Sequence, residues 1–133
     1  MARAEEAVRR LWTAFAAHDW EAAAASLAED FVCEWPQTGE RFVGRANFLA
    51  MNRNHPAPNW RIDRVEVLPI PPDRAVARVI VPTDLAVDVC LGLYRVDGDG
   101  LLLRATEYWT EHRHVPTPDW RAPWTDPASP SSR

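Results

Sequence analysis

Apolar residues in this chain recur at helical spacing as far as Asn54 and at every second position from Trp60 onward. Helices and strands demand those two different periods, so the switch divides the chain into a helical front and a sheet behind it. Helices that precede the strands, instead of alternating with them, indicate an α+β domain with a curved, mostly antiparallel sheet. Ala4, Val8, Leu11, Trp12 and Phe15 share one stripe of a helix predicted over 2–17, with Glu5, Glu6, Arg9 and Arg10 largely off it. Asp19 suits the N-cap of a second helix, and Trp20, Ala24, Leu27 and Phe31 carry helical spacing to about Glu29-Asp30. Residues 31–35 read as a short strand stopped by Pro36, 37–40 as a turn, and 41–44 as the lead into a third helix from Arg45 to about Asn54. Further strands are expected over 61–68, 74–81, 86–96 and 101–111, separated by proline- and glycine-bearing turns.

The last of these strands matters most. Leu101, Leu103, Ala105, Glu107 and Trp109 alternate onto its more apolar face, which should look inward. That places one carboxylate, Glu107, among apolar neighbours and beside an indole. A buried acid needs hydrogen-bond partners or stays neutral, so Glu107 is the candidate catalytic residue and equally a candidate structural one.

A chain of 133 residues with 47% apolar and 26% charged residues is sized for one domain. The domain is expected over 1–114. A tail over 115–133 carries five prolines and should wrap loosely over the surface, with nothing to bury after about Asp126. A net charge of −4 argues against a nucleic-acid partner, and no apolar run approaches a membrane span. The N-terminus lacks the apolar core of a signal peptide, and Cys33 and Cys90 suggest no disulfide framework, so the expected location is cytoplasmic. All fifteen basic residues are arginine, which removes Schiff-base and phosphate-loop lysine chemistry. Outside the tail the sole serine is Ser26, in a run of alanines with no nucleophile elbow around it, so a serine hydrolase is excluded.

Phe15-Ala16-Ala17-His18-Asp19-Trp20, Leu27-Ala28-Glu29-Asp30-Phe31, Gly44-Arg45 and the closing Asp97-Gly98 with Glu107-Tyr108-Trp109 resemble, in order and spacing, the SnoaL-like (polyketide-cyclase-like) branch of the nuclear-transport-factor-2-like superfamily. The resemblance covers 2–111. It implies a cone in which three helices close over a strongly bent sheet around an apolar pocket, and a homodimer formed through the outer sheet face. It also implies a range of functions, from isomerases and cyclases to non-catalytic binders. The positions matching the steroid isomerases' base, oxyanion-hole tyrosine and partner acid are Trp35, Leu11 and Gly92. All three roles are vacant, so that activity is not expected.

On strand 86–96 the two lines of reasoning diverge. The resemblance turns Asp88, Cys90 and Gly92 inward, whereas hydrophobicity alone selects Val87, Val89, Leu91 and Leu93. An apolar outer face used for dimerisation reconciles them. The expected pocket lining is Trp12, Phe15, Trp35, Phe48, Met51, Asn52, His55, Asp88, Cys90 and Trp109. His55 beside Pro56 also reads as a helix-end cap. His112-Arg113-His114 lacks a third metal ligand at a recognisable spacing, so no metal site and no cofactor are expected. Pro58-Asn59-Trp60-Arg61 and Pro118-Asp119-Trp120-Arg121 form a short repeat, read as two turns that each pin an indole. Two function classes remain: a small-molecule pocket protein binding a hydrophobic ligand, and a cofactor-free acid–base enzyme of isomerase, cyclase, dehydratase or hydrolase type working through Glu107.

Overall fold

The computed structural model describes residues 2–57, 59–111 and 115–126. Helices α1 (Arg3–Ala16) and α2 (Trp20–Ala25) are followed by strands β1 (Leu27–Trp35) and β2 (Glu40–Val43) and by helix α3 (Arg45–Arg53). Strands β3 (Arg64–Ile70), β4 (Arg74–Pro82), β5 (Val87–Val96) and β6 (Leu102–Glu111) then complete one mixed sheet in the order β2-β1-β6-β5-β4-β3. Every neighbouring pair is antiparallel except β1 and β6, which run parallel. Three helices on this six-stranded sheet make the α+β class expected from the change of period.

Helix α1 buries Ala4, Val8, Leu11, Trp12 and Phe15 against the sheet, and Ala7 and Ala14 join them. Its polar side carries a Glu5–Arg9 pair at 3.2 Å, one turn apart. Asp19 caps α2 as its chemistry suggests, accepting the Ala22 N–H at 3.0 Å.

The sequence reading is corrected after Ala25. Leu27 to Asp30 belong to β1, not to the second helix, because Leu27 aligns with Leu102 and the Leu102 N–H donates to the Ser26 carbonyl. Pairing with a strand 75 residues away in sequence thus overrides a run of good helix formers. Residues 40–43 form a sixth strand on the β1 edge, where a turn and a lead-in were expected. Gly44, at φ 86°, then swings the chain into α3 while its N–H donates to the Phe31 carbonyl at 2.7 Å.

On β5, Cys90, Gly92, Tyr94 and Val96 are buried, while Leu91 and Leu93 are exposed. The inward set is therefore the one implied by the resemblance, and the face chosen by hydrophobicity is the outer one. On β6 a register shift opposite Arg95 and Val96 turns Leu102 inward, ahead of the inward positions Ala105 and Glu107. The expected inward placement of Leu103 is replaced by that of Leu102, because the irregularity displaces the alternation by one residue.

Cys33 and Cys90 are both buried and free. Among the described residues no helix is long and apolar enough to cross a membrane. His112 to His114 and the tail beyond Asp126 lie outside the described residues. The described part of the tail is exposed and contains a single 3-10 turn, Ala122–Trp124.

Candidate ligand-binding site

The site is built where β1, β5 and β6 lie side by side. Gly92 on β5 aligns with Glu107 on β6, and Tyr94 aligns with Ala105. The Tyr94 ring leans back along its own strand over Gly92. A Cβ added at Gly92 would stand 2.5 Å from the nearest ring atom, so no larger residue fits beneath the phenol. Crossing that gap, the Tyr94 hydroxyl donates to Glu107 Oε2 at 2.7 Å. The other carboxylate oxygen, Oε1, accepts from Trp35 Nε1 at 3.1 Å and from Trp109 Nε1 at 3.3 Å.

Glu107 is 2% exposed, and none of the ion pairs among the described residues involves it. Its hydrogen bonds therefore come from uncharged groups. Burial first, and the Glu107 charge second, raise the Tyr94 hydroxyl and the Cys90 thiol well above their ordinary values. The same two causes, in the same order, raise the Cys33 thiol. All three stay protonated at neutral pH, so the tyrosine serves as a donor and the thiols are inert.

Trp35 and Trp109 spend their N–H groups on Glu107 and contribute to the wall of a cavity of about 270 Å³, together with Met51, Asn52, His55, Asp88, Thr110 and Glu111. A smaller recess shares Asn52, His55, Asp88 and Trp109 and is closed by Trp12, Phe15, Trp60, Ile62 and Val81. Glu107 lines neither; it sits behind the indoles. The rings brace one another: Trp35 and Trp109 lie 6.3 Å apart, Trp12 and Trp109 6.4 Å, and Trp12 meets Phe15 edge-on at 5.3 Å. The Trp12 N–H is buried and without a hydrogen-bond partner among the described residues.

Polar groups gather at the cavity's other side. Burial raises the Asp88 carboxyl above its ordinary value; nearby His55 opposes that shift and Glu111 adds to it. His55 Nδ1 accepts the Ala57 N–H at 3.1 Å. The C-cap of α3 is Asn54; His55 follows it, its ring holds the Ala57 N–H beyond the helix end instead of a helix carbonyl, and it borders the cavity as well.

Eight of the ten residues expected to line the pocket border one cavity or the other: Trp12, Phe15, Trp35, Met51, Asn52, His55, Asp88 and Trp109. Phe48 and Cys90 do not; both are buried core residues, with Phe48 against Phe31 and Phe15. Tyr94 received no role from the sequence, although it shares the inward face of β5 with Cys90 and Gly92. Trp60 was singled out as half of a repeat and proves to stack on His18 at 4.1 Å while closing the recess. Its counterpart Trp120 is exposed, with Arg121 over its ring. Among the described residues no group of three or more His, Cys, Asp or Glu side chains is arranged to hold a metal ion.

A cavity over the inner face of a mixed sheet, with helices over it, defines the α+β pocket proteins. Residues 8–110 match the SnoaL-like domain family, and the chain belongs to that family. Among solved structures it is similar to a protein of Kribbella flavida DSM 17836 named as a candidate ketosteroid isomerase, with 28% identity and a TM-score of 0.83 over 96% of this chain and 90% of that one. It is also similar to a Xanthomonas campestris pv. campestris protein named as a candidate polyketide cyclase, with 26% identity and a TM-score of 0.67 over 80% and 89% of the two chains. A Mycobacterium tuberculosis protein in complex with estradiol-17β-hemisuccinate shares the fold at 23% identity, with a TM-score of 0.66 over 83% and 95%. A comparison with curated proteins finds no match.

Proposed function

We propose that this protein binds a small, flat, apolar molecule in the cavity walled by Trp35, Trp109 and Met51. The observation that carries the reading is the division of labour around Glu107. The carboxylate accepts three hydrogen bonds, two of them from indoles of the cavity wall, while lining neither of the two cavities itself. On this reading Glu107 is a positioning residue: it fixes two ring planes, and the rings meet the ligand. A volume of about 270 Å³ lies just below the usual range for ligand pockets, which suits a small ligand of two or three fused rings. The steroid complex of the Mycobacterium tuberculosis protein supports the ligand class by likeness of fold alone.

Acid–base catalysis is the second reading. Asp88 and His55 favour it, as titratable side chains that border both cavities. Glu107 would have to give up bound donors to reach a substrate.

Titration calorimetry with a set of bicyclic and tricyclic apolar compounds tests the binding reading. Micromolar to millimolar binding that is weakened by Trp109→Ala is the expected result. Absence of binding across the set, with the protein folded, removes it.

The exposed Leu91 and Leu93 of β5 and Tyr108 of β6 support a homodimer through the outer sheet face. The two free thiols support a reducing, cytoplasmic setting.

A further inference from the structure

We infer that the ligand of this pocket is a cation: an apolar, flat body carrying a protonated amine, with the ammonium group at Asp88. This rests on the pocket reading above and adds the charge of the ligand. Among the described residues that border the two cavities there is no arginine, and the chain has no lysine to supply one. The charged side chains that border the cavities are the carboxylates Asp88 and Glu111. His55, the one basic side chain among them, has its Nδ1 engaged by the Ala57 N–H. An anionic ligand would therefore find no arginine or lysine to pair with among the described residues of the lining. The Asp88 carboxylate makes no side-chain hydrogen bond or ion pair with the described residues, although His55 is near enough to act on it, and it borders both cavities, so it stands where a ligand head group would meet it. The inference needs only Asp88; Glu111 is not required.

The walls point the same way. Trp12, Phe15, Trp35, Trp60 and Trp109 border one or the other of the two cavities, and an aromatic enclosure favours an organic cation through the ring quadrupoles. Trp35 and Trp109 have a further property. Each donates its N–H to the same buried carboxylate, Glu107. A carboxylate at the indole N–H pushes electron density into the ring and makes its face a better partner for a positive charge. It also leaves those two rings with no donor to offer, so what they present to the cavity is π surface. Behind the rings, the Glu107 carboxylate adds no positive potential.

The test compares three probes of one shape on the full chain at pH 7, by titration calorimetry: 2-naphthylmethylamine, which is protonated, 2-naphthylmethanol, which is neutral, and 2-naphthoate, which is anionic. The expected order is amine, then alcohol, then naphthoate, with the amine about tenfold or more tighter than the alcohol. In Asp88→Asn the amine should fall to within about twofold of the alcohol. Equal binding of amine and alcohol, or tighter binding of naphthoate, overturns the inference and leaves the apolar pocket standing. A full amine preference retained in Asp88→Asn also overturns it. If none of the three binds, the pocket reading and this inference fall together. The wild-type comparison requires no variant, so the result does not depend on Asp88→Asn folding.

Discussion

The Tyr94 hydroxyl reaches Glu107 Oε2 at 2.7 Å by crossing over Gly92, the residue aligned with Glu107 on the neighbouring strand. Three inward positions on two strands are thereby tied together: a bulky donor, a gap beneath it and a buried acceptor. Burial first and the carboxylate second hold the phenol protonated. Tyr94→Phe removes the hydroxyl and keeps the ring. Leaving one buried carboxylate oxygen without its donor should cost about 1–3 kcal/mol. Denaturant unfolding should show that loss at an unchanged m-value. A variant as stable as the wild type would mean that Glu107 draws nothing from Tyr94.

Gly92→Ala tests the gap itself. The added methyl would stand 2.5 Å from the Tyr94 ring, which is closed in by the core and cannot swing away. Overpacking of that kind should destabilise the fold by about 1–3 kcal/mol, read as a lower melting temperature. The same substitution at Gly98, where an added Cβ meets nothing within 4 Å, serves as the control.

Thiol reactivity gives a third expectation. Burial and the Glu107 charge raise both Cys33 and Cys90, and only the thiolate is nucleophilic. A chromogenic disulfide reagent at pH 8 should label neither cysteine in the folded protein and both in guanidinium chloride. Rapid labelling of native protein would show that the centre of the sheet is open to solvent.

The Asp88 carboxyl lies above its ordinary value of 3.8, chiefly through desolvation. A carboxyl raised on folding disfavours the folded state at neutral pH, and that penalty is relieved as the pH falls through the raised value. Asp88→Asn should therefore be equal to or more stable than the wild type at pH 7. Its advantage should shrink as the pH falls through that raised value, where the folded wild-type carboxyl takes up its proton, and be gone below 3.8. Melting temperatures measured across that window check the sign. A wild type that gains on the variant as the pH rises would reverse it.

The outer face gives the last prediction. Leu91 and Leu93 are 48% and 46% exposed, and Tyr108 stands beside Leu91 across the β5–β6 ladder. If two such faces join over the ~1,000 Å² that a stable interface needs, light scattering should give twice 15.1 kDa. Leu91→Asp should then give a folded monomer. A wild-type monomer at micromolar concentration would end the dimer proposal.

The sequence by itself determined the class of fold and the burial of one carboxylate. Period determines which side of a helix or strand is apolar, and a local pattern is enough to read it. Thus the α1 stripe, the Asp19 cap and the inward turn of Glu107 were legible without coordinates. Tertiary structure decided what period cannot express. Leu27 to Asp30 became strand because β6 offered them a partner, and a register shift exchanged Leu103 for Leu102. The outward turn of Leu91 and Leu93 was settled by the whole sheet, since both faces of β5 are apolar enough to be buried. The donors around Glu107 come from β1, β5 and β6 itself, with 72 residues separating Trp35 from the carboxylate it binds. No local pattern relates Trp35, Tyr94 and Glu107. They meet because β1 and β5 flank β6, and strand order is decided by the packing of the whole chain.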